Sequence, residues 1–441
     1  MIPLLAAAHL ALWLPSGSDR IASRSAPVQV LTLDAALAME RAHQPSLAEA
    51  SANVRAAQAR QREALAPLLP QISGSVSAEH HADLGQSQAL APAASRGQGA
   101  APLGDFGTGN FGLTASQVIW DFGAGRSTVA AAGAQVDVES DTLDATRLGD
   151  DLAVRQAYFA AWGDKRQVAV ASESLSDQVA HERQVQAAVK IGTRPPSDLA
   201  QVEAGVASAR VQAINAEDTY AIARAQLIQA IGMPQLGDFA VVDPLLPAVA
   251  GEGLPIERLV TEAMAARPDR RSLDDQIRSA QLSEQAAELA WAPQISAVAG
   301  VSAEAQSQVP ESNDWQAGVT MNWPLVSGGD KLARLQELHA QFDALTGQRE
   351  VLDQQIRLDV TQAALAIRGA RDGVSAAGTA VQEARISLKL AEGRYAVGLG
   401  SVIELDDAQQ QLATAEGQQI QEMVQLDDAR AQLLKALGRP A

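Results

Sequence analysis

The side chains of this 441-residue chain that could hold a metal or move a proton are six histidines and 52 acidic residues. Their spacing builds no reaction site. His80-His81 is the one histidine pair, and neighbours on a strand point to opposite faces, which makes shared chelation poor. Cysteine is absent, so there are no disulfides, no thiolate ligands and no lipid attachment point. No glycine-rich phosphate loop follows a strand, and no nucleophile–base signature appears. Most carboxylates are spread along helical stretches as solvated faces. Glu404 and Asp407 stand out, because a spacing of three puts both on one helix face. Ser401-Val402-Ile403-Glu404 is also a capping box, and acids in a first turn complement the helix dipole. Catalytic residues, cofactors and metal sites are therefore not expected, and the chain reads as something other than an enzyme.

The elements that position these residues follow from composition and punctuation. Aromatics are only 3% of the chain, while alanine is abundant, a balance suited to closely packed long helices. The net charge of −18 argues against nucleic acid as a partner, since phosphate binding needs clustered Lys and Arg. Residues 1–26 are expected to be a secretory signal peptide. The apolar run Met1–Leu14 has the length of a signal core and is followed by Pro15-Ser16-Gly17-Ser18, although no Lys or Arg precedes it. It is too short to span a bilayer as a helix.

The chain is written twice. Leu33-Asp-Ala-Ala-Leu37 through Pro45 matches Ile256-Glu-Arg-Leu-Val260 through Pro268, and Pro70-Gln-Ile-Ser73 recurs as Pro293-Gln-Ile-Ser296. Lys190-Ile-Gly192 through Asp198-Leu199 matches Ala396-Val-Gly398 through Glu404-Leu405. The reading is a first repeat at 27–234 (strands at about 71–80 and 110–121, tip at about 190–198) and a Pro/Gly-rich connector at 235–255. A second repeat follows at 256–441, with strands at about 294–305 and 315–325 and a tip at about 396–404. Each half runs helix, strand, strand, very long helix, turn, helix. No proline falls between Pro102 and Pro195 or between Pro324 and Pro440, so a helix from Ala124 to Lys190 would be roughly 100 Å long. Leu405, Leu412, Leu426 and Leu433 share one heptad position, with Gln419 interrupting; Ala408, Ala415, Ala429 and Ala436 share the other, with Glu422 interrupting. Such a Leu/Ala seam suits antiparallel coils packed closely.

The strand segments separate this chain from a plain coiled-coil hairpin. Trp315, Ala317, Val319, Met321 and Trp323 alternate with Gln316, Gly318, Thr320 and Asn322, and Gln294–Glu304 alternates in the same way with Val298 as its exception. Segments of about ten residues, apolar on one face and small-polar on the other, suit a barrel with lipid outside and water inside. Trp120, Trp315 and Trp323 would form a membrane girdle. Four strands cannot close a barrel, and an open edge in lipid is costly, so the barrel must be shared between subunits. Residues Ala82–Gly109 are expected to be a mobile outer loop, which an adhesin or phage receptor could also use.

This duplicated pattern with glycine turns at its tips resembles the TolC family of outer-membrane efflux proteins, from about Leu31 to Gly438. The most specific residues are Val189-Lys-Ile-Gly192 with Asp198, and Tyr395-Ala-Val-Gly398 with Glu404 and Asp407. The resemblance implies a mainly α fold with β: a homotrimer whose subunits share a 12-stranded β-barrel set in outer-membrane lipid, continued by a periplasmic α-helical barrel. It implies a duct of a tripartite efflux or type I secretion system, in which the tips dock onto a periplasmic adaptor. That adaptor would link the duct to an inner-membrane pump of the RND, ABC or MFS class. It further implies a pore constriction at Glu404 and Asp407, gating contacts at Tyr395 and Asp198, and adaptor-docking tips at Ile191, Gly192, Thr193, Val397, Gly398 and Leu399. One departure is Gly400, where a family member has an arginine, so one gating link is missing; Arg194 on the other tip is a substitute whose neighbours Pro195-Pro196 alter the local geometry. A periplasmic adaptor or structural scaffold built on coiled-coil hairpins is the alternative. The cargo is not written in the duct.

Overall fold

The computed structural model describes residues 29–81, 106–243, 247–306 and 309–439. The expected signal peptide lies outside the described residues, as does the expected outer loop apart from its last four residues.

Each half opens with two successive helices. In the first these are α1 (Leu33–His43) and α2 (Pro45–Leu65), after a short strand β1 (Gln29–Leu31). Where the sequence reading had a single helix in each half, the structure has a kinked pair. Pro45 cannot donate its backbone nitrogen to the preceding turn and forces Gln44 into an extended conformation, ψ 122°. The chain then rises in strand β2 (Gln71–His81), turns back antiparallel in β3 (Phe106–Trp120), passes into α3 (Ala124–Lys190) and returns in α4 (Pro196–Ile231). A strand β4 (Phe239–Val241) lies within the connector and pairs in parallel with β1. The second half repeats the order: α5 (Ile256–Ala266), α6 (Pro268–Leu289), β5 (Gln294–Gln306), β6 (Val309–Asn322), α7 (Asp330–Ala396) and α8 (Val402–Ala436). Arg267 before Pro268 is extended, as Gln44 is before Pro45.

The strand limits differ from those read in the sequence. β3 begins at Phe106 rather than near 110, and its first residues pair with the end of β2. β6 begins at Val309 rather than 315, and it ends at Asn322, ahead of Trp323-Pro324. Proline has no N–H to give a ladder.

Two long antiparallel pairs, α3 with α4 and α7 with α8, form the body. The heptad positions face inward: Val202, Val206, Ala209, Ala213, Ala216, Ala223 and Leu227 are buried on α4, and Leu405, Ala408, Ala429, Leu433 and Ala436 on α8. Alanine at one seam position lets the axes approach closely. The polar interruptions fit for a physical reason. A Cβ at Gly373 would run into a Glu422 carboxylate oxygen, so the missing side chain on α7 is the space that Glu422 occupies.

Two cores sit at the kinked helices. The first gathers Tyr158, Phe159 and Trp162 of α3 with Leu37, Leu227, Ile231 and both strands of the β1–β4 pair. The second gathers Leu259, Ile356, Val360, Ile367, Leu433 and Leu437. No described helix is long and apolar enough to cross a membrane.

Candidate functional site

The two tips are the same device made from different residues. After α3, Gly192 adopts φ +76°. Its N–H donates to the Val189 carbonyl at 3.0 Å, and the Thr193 N–H and hydroxyl both reach the Ala188 carbonyl, at 3.0 and 2.9 Å. After α7, Gly398 adopts φ +79°, its N–H donates to Tyr395 at 3.1 Å, and Leu399 N–H donates to Arg394 at 2.9 Å. A left-handed residue that lets the chain bond back to the last turn is an efficient helix stop, and glycine takes that conformation without steric cost. Ile191, Val397 and Leu399 are left exposed at the tips.

The return helices start differently. Pro195 is extended and Pro196 opens α4 with no side-chain cap. At the second tip the Glu404 N–H donates to Ser401 Oγ at 3.1 Å, which realises half of the capping box. Gly400 has a structural reason of its own, since a Cβ there would lie 3.0 Å from the Tyr395 nitrogen. A side chain at 400 would press on the backbone of the last turn of α7.

Tyr395 joins the tips inside one chain. It packs against Val185, Val202 and Val402 on one side and Ala391, Leu405 and Ala408 on the other. The Arg194 guanidinium lies 4.6 Å from the centre of its ring and 3.5 Å from the Asp198 carboxylate. Tyr395 and Asp198 are thus connected through Arg194, and among the described residues they share no direct hydrogen bond. Burial pushes the Tyr395 hydroxyl pKa up; Arg194 opposes the shift and Asp198 adds to it.

The two expected constriction residues part company. Glu404 forms an ion pair with Arg394 Nη1 at 3.4 Å, whereas Asp407 is exposed and has no ion-pair partner among the described residues. Between them Asp406 turns toward α3, where Gln178 Nε2 donates to it at 2.7 Å and to Gln409 Oε1 at 3.0 Å. His181, one turn further along α3, meets the Tyr395 ring edge-on at 5.1 Å. Sequence reasoning missed Gln178, His181 and Asp406. The signal was present: Gln178 occupies the heptad position of buried Ala171 and Val185, where an amide is out of place unless it has a partner.

At the other end β2, β3, β5 and β6 form one antiparallel sheet in that order. Register aligns Ile72, Ala115, Ala299 and Ala317 across one face, with Leu113, Val301 and Trp315 in the next row but one of the same face. The opposite face carries Ser73, Thr114, Gly300 and Gln316. A bulge after Val118 pairs Trp120 with Ile295; the extra residue turns Trp120 onto the apolar face. Trp120 and Trp323 lie at the helix-proximal end, where Trp323 Nε1 donates to the Trp291 carbonyl at 3.2 Å. Trp315 is eight residues from Trp323, roughly 27 Å along an extended strand, and is 80% exposed.

A four-stranded sheet with one apolar face, carried on helices about 100 Å long, is the build of an outer-membrane channel that extends into the periplasm. The family model of outer membrane efflux proteins matches residues 36–233 and 259–439, and the chain belongs to that family. It is similar to the pyoverdine export outer membrane protein OpmQ of Pseudomonas putida, at 26% identity over 92% of this chain and 85% of the relative. It is also similar to the outer membrane efflux protein BepC of Brucella suis, at 24% identity over 78% of this chain and 75% of the relative. Among solved structures, the CmeC outer membrane channel of Campylobacter jejuni shares the fold, with a TM-score of 0.80 and 17% identity over 92% of this chain and 85% of that one. The chain is an outer-membrane channel for efflux, in a family of channel proteins.

Proposed function

We propose that three copies of this chain assemble into one continuous duct. The observation that carries the reading is the sheet, whose β2 and β6 edges have no partner strand among the described residues. One face is apolar enough for lipid, where an unpaired backbone group costs several kcal/mol. Closing three such sheets edge to edge removes every free edge. A second support lies on α7: Val351, Leu358, Leu365 and, three heptads on, Ile386 repeat at coiled-coil spacing yet stay exposed, as a seam awaiting a neighbouring copy does.

In this reading Trp120, Trp323 and Trp315 mark the two lipid–water interfaces. The exposed apolar tips at Ile191, Gly192, Thr193, Val397, Gly398 and Leu399 dock a periplasmic adaptor, which connects the duct to an inner-membrane pump. Tyr395 and Asp198, bridged by Arg194, hold the tips together as gating contacts. Asp407, and Glu404 where Arg394 releases it, face the constriction; six carboxylates there would favour cations.

The test is the native mass of the protein extracted by detergent from purified outer membranes. A complex of about 138 kDa before bound detergent, three times the 46.1 kDa chain, is the expected result. A monomer of the same preparation would remove the shared barrel.

A further inference from the structure

Helix α3 runs along α8 from the kinked helices to the tip, and the character of this seam changes on the way. In the upper part Gly163 lies against Val424 and Ile420, a close apolar contact. Lower down the seam becomes polar, with Gln178 bonded to Asp406 and Gln409. Next comes His181, which is 5% exposed and whose Nε2 has no hydrogen-bond partner. Gln178 is engaged with Asp406 and Gln409, and Arg194 with Asp198 and the Tyr395 ring. A buried ring nitrogen left unpaired is a standing cost to the packed state, so an apolar residue would hold this seam more firmly.

The groups facing His181 are Asp406 from α8, Arg194 from the turn after α3, and the Tyr395 ring from α7. Asp198 of α4 stands behind Arg194. Resting on the reading of Tyr395, Arg194 and Asp198 as gating contacts, we propose that His181 is a proton-operated release for the tip: a proton taken up by its ring parts α3 from Tyr395 and loosens closure. The charged imidazole would stand beside Arg194 on the same tyrosine, and the two cations repel. The direction follows from linkage. Burial pushes the His181 pKa below its ordinary value, with Asp406 opposing and Arg194 reinforcing the shift. The packed seam therefore prefers the neutral ring, a parted seam exposes a ring of ordinary basicity, and acid shifts the population toward parting.

The experiment is planar-bilayer conductance of the reconstituted full-length channel at pH 7.5 and 5.5. Wild type is expected to conduct several-fold more at the lower pH, while His181→Gln and His181→Asn remain flat. An acid response that survives in either variant, or a flat wild type, overturns the proposal. Arg194→Ala separates the two readings. It is expected to raise conductance at pH 7.5 whatever the histidine does, and a wild-type level there would instead sink the gating contacts themselves. Wild type alone supplies a further check through deuterium exchange at the C2 position of the His181 ring, read by mass spectrometry of its peptide. An exchange midpoint at the ordinary histidine value in the closed protein also overturns the proposal.

Discussion

The two halves have long helices of identical length, 67 residues each, yet they fill their cores differently. Tyr158 and Phe159 of α3 are fully buried, whereas the residues at the same places in α7 are Ala364, which is buried, and Leu365, which is exposed. The aromatics of the first half are covered by β1 and β4, and the polar ends of two of them are met. The Tyr158 hydroxyl lies 2.9 Å from the carbonyls of Leu31 and Val242, and Trp162 Nε1 donates to Asp243 Oδ1 at 2.6 Å. Five residues before the kinking prolines the contrast is sharper. The second half has Ala263 there, while the first has Glu40, fully buried with neither carboxylate oxygen hydrogen-bonded. Burial, reinforced by Asp151 and Asp150 and opposed by Arg41, raises its pKa to about 7. Duplication preserved helix length and kink position, because these set the overall frame. The contents of the cores were free to diverge, with polar groups accumulating where extra strands could cover them.

The largest effect that would sharpen this contrast is expected from Phe159→Ala. Emptying an aromatic site in a packed core costs about 3–5 kcal/mol, against about 1 kcal/mol for Ile356→Val in the aliphatic core. Thermal unfolding of the detergent-solubilised protein should rank the two in that order, and equal losses would erase the distinction between the cores.

Glu40→Ala comes next and has the opposite sign. With its pKa raised from 4.5 to about 7, the folded chain holds a proton that the unfolded chain releases. Its contribution is fully present below about pH 4.5 and is lost as pH rises through about 7. Replacing Glu40 with the alanine of the second half should stabilise the protein at pH 8 by about 3 kcal/mol, with little change at pH 4.5. A variant that loses stability at both pH values would show that the carboxylate has a hidden partner.

The tips give a smaller difference. Ser401→Ala removes a side-chain cap and should cost about 1 kcal/mol of local helix stability. Pro196→Ala at the uncapped first tip should cost only several tenths, through chain entropy. Amide exchange at the first turns of α8 and α4 would rank them, and a greater opening of α4 would reverse the comparison.

The smallest effect concerns the strand-to-helix turns. Phe122 at φ 57° stands where the second half has Gly328 at φ 62°. Phe122→Gly relieves about 1–2 kcal/mol of left-handed strain but adds about 1 kcal/mol of chain entropy. The net change in melting should be close to nothing. A large loss would mean that the ring contact with Trp120, at 6.0 Å, carries more than its geometry suggests.

Much of the architecture was legible because it depends on periods and punctuation. The proline-free runs bounded α3 and α7, the Leu/Ala heptads marked the buried faces of α4 and α8, and alternation marked the two faces of the sheet. Prolines 45 and 268 carried the kinks as well, although the kinks were not drawn from them. The β1–β4 pair was not legible, since three residues in each of two distant segments make no pattern until they meet.

At the tips the sequence by itself determined the turns. Gly192 and Gly398 reverse the chain by backbone geometry alone, and Ser401 caps its own helix. Tertiary structure alone decided which acids face where. Glu404, Asp406 and Asp407 are near neighbours on one helix, yet one pairs with Arg394, one with Gln178, and one stands exposed. It also decided that Tyr395 of α7 meets His181 of α3 and Arg194 of the turn that follows α3. Those partners lie some two hundred residues apart in the chain, and no local period encodes a contact made only when two hairpins close on one another.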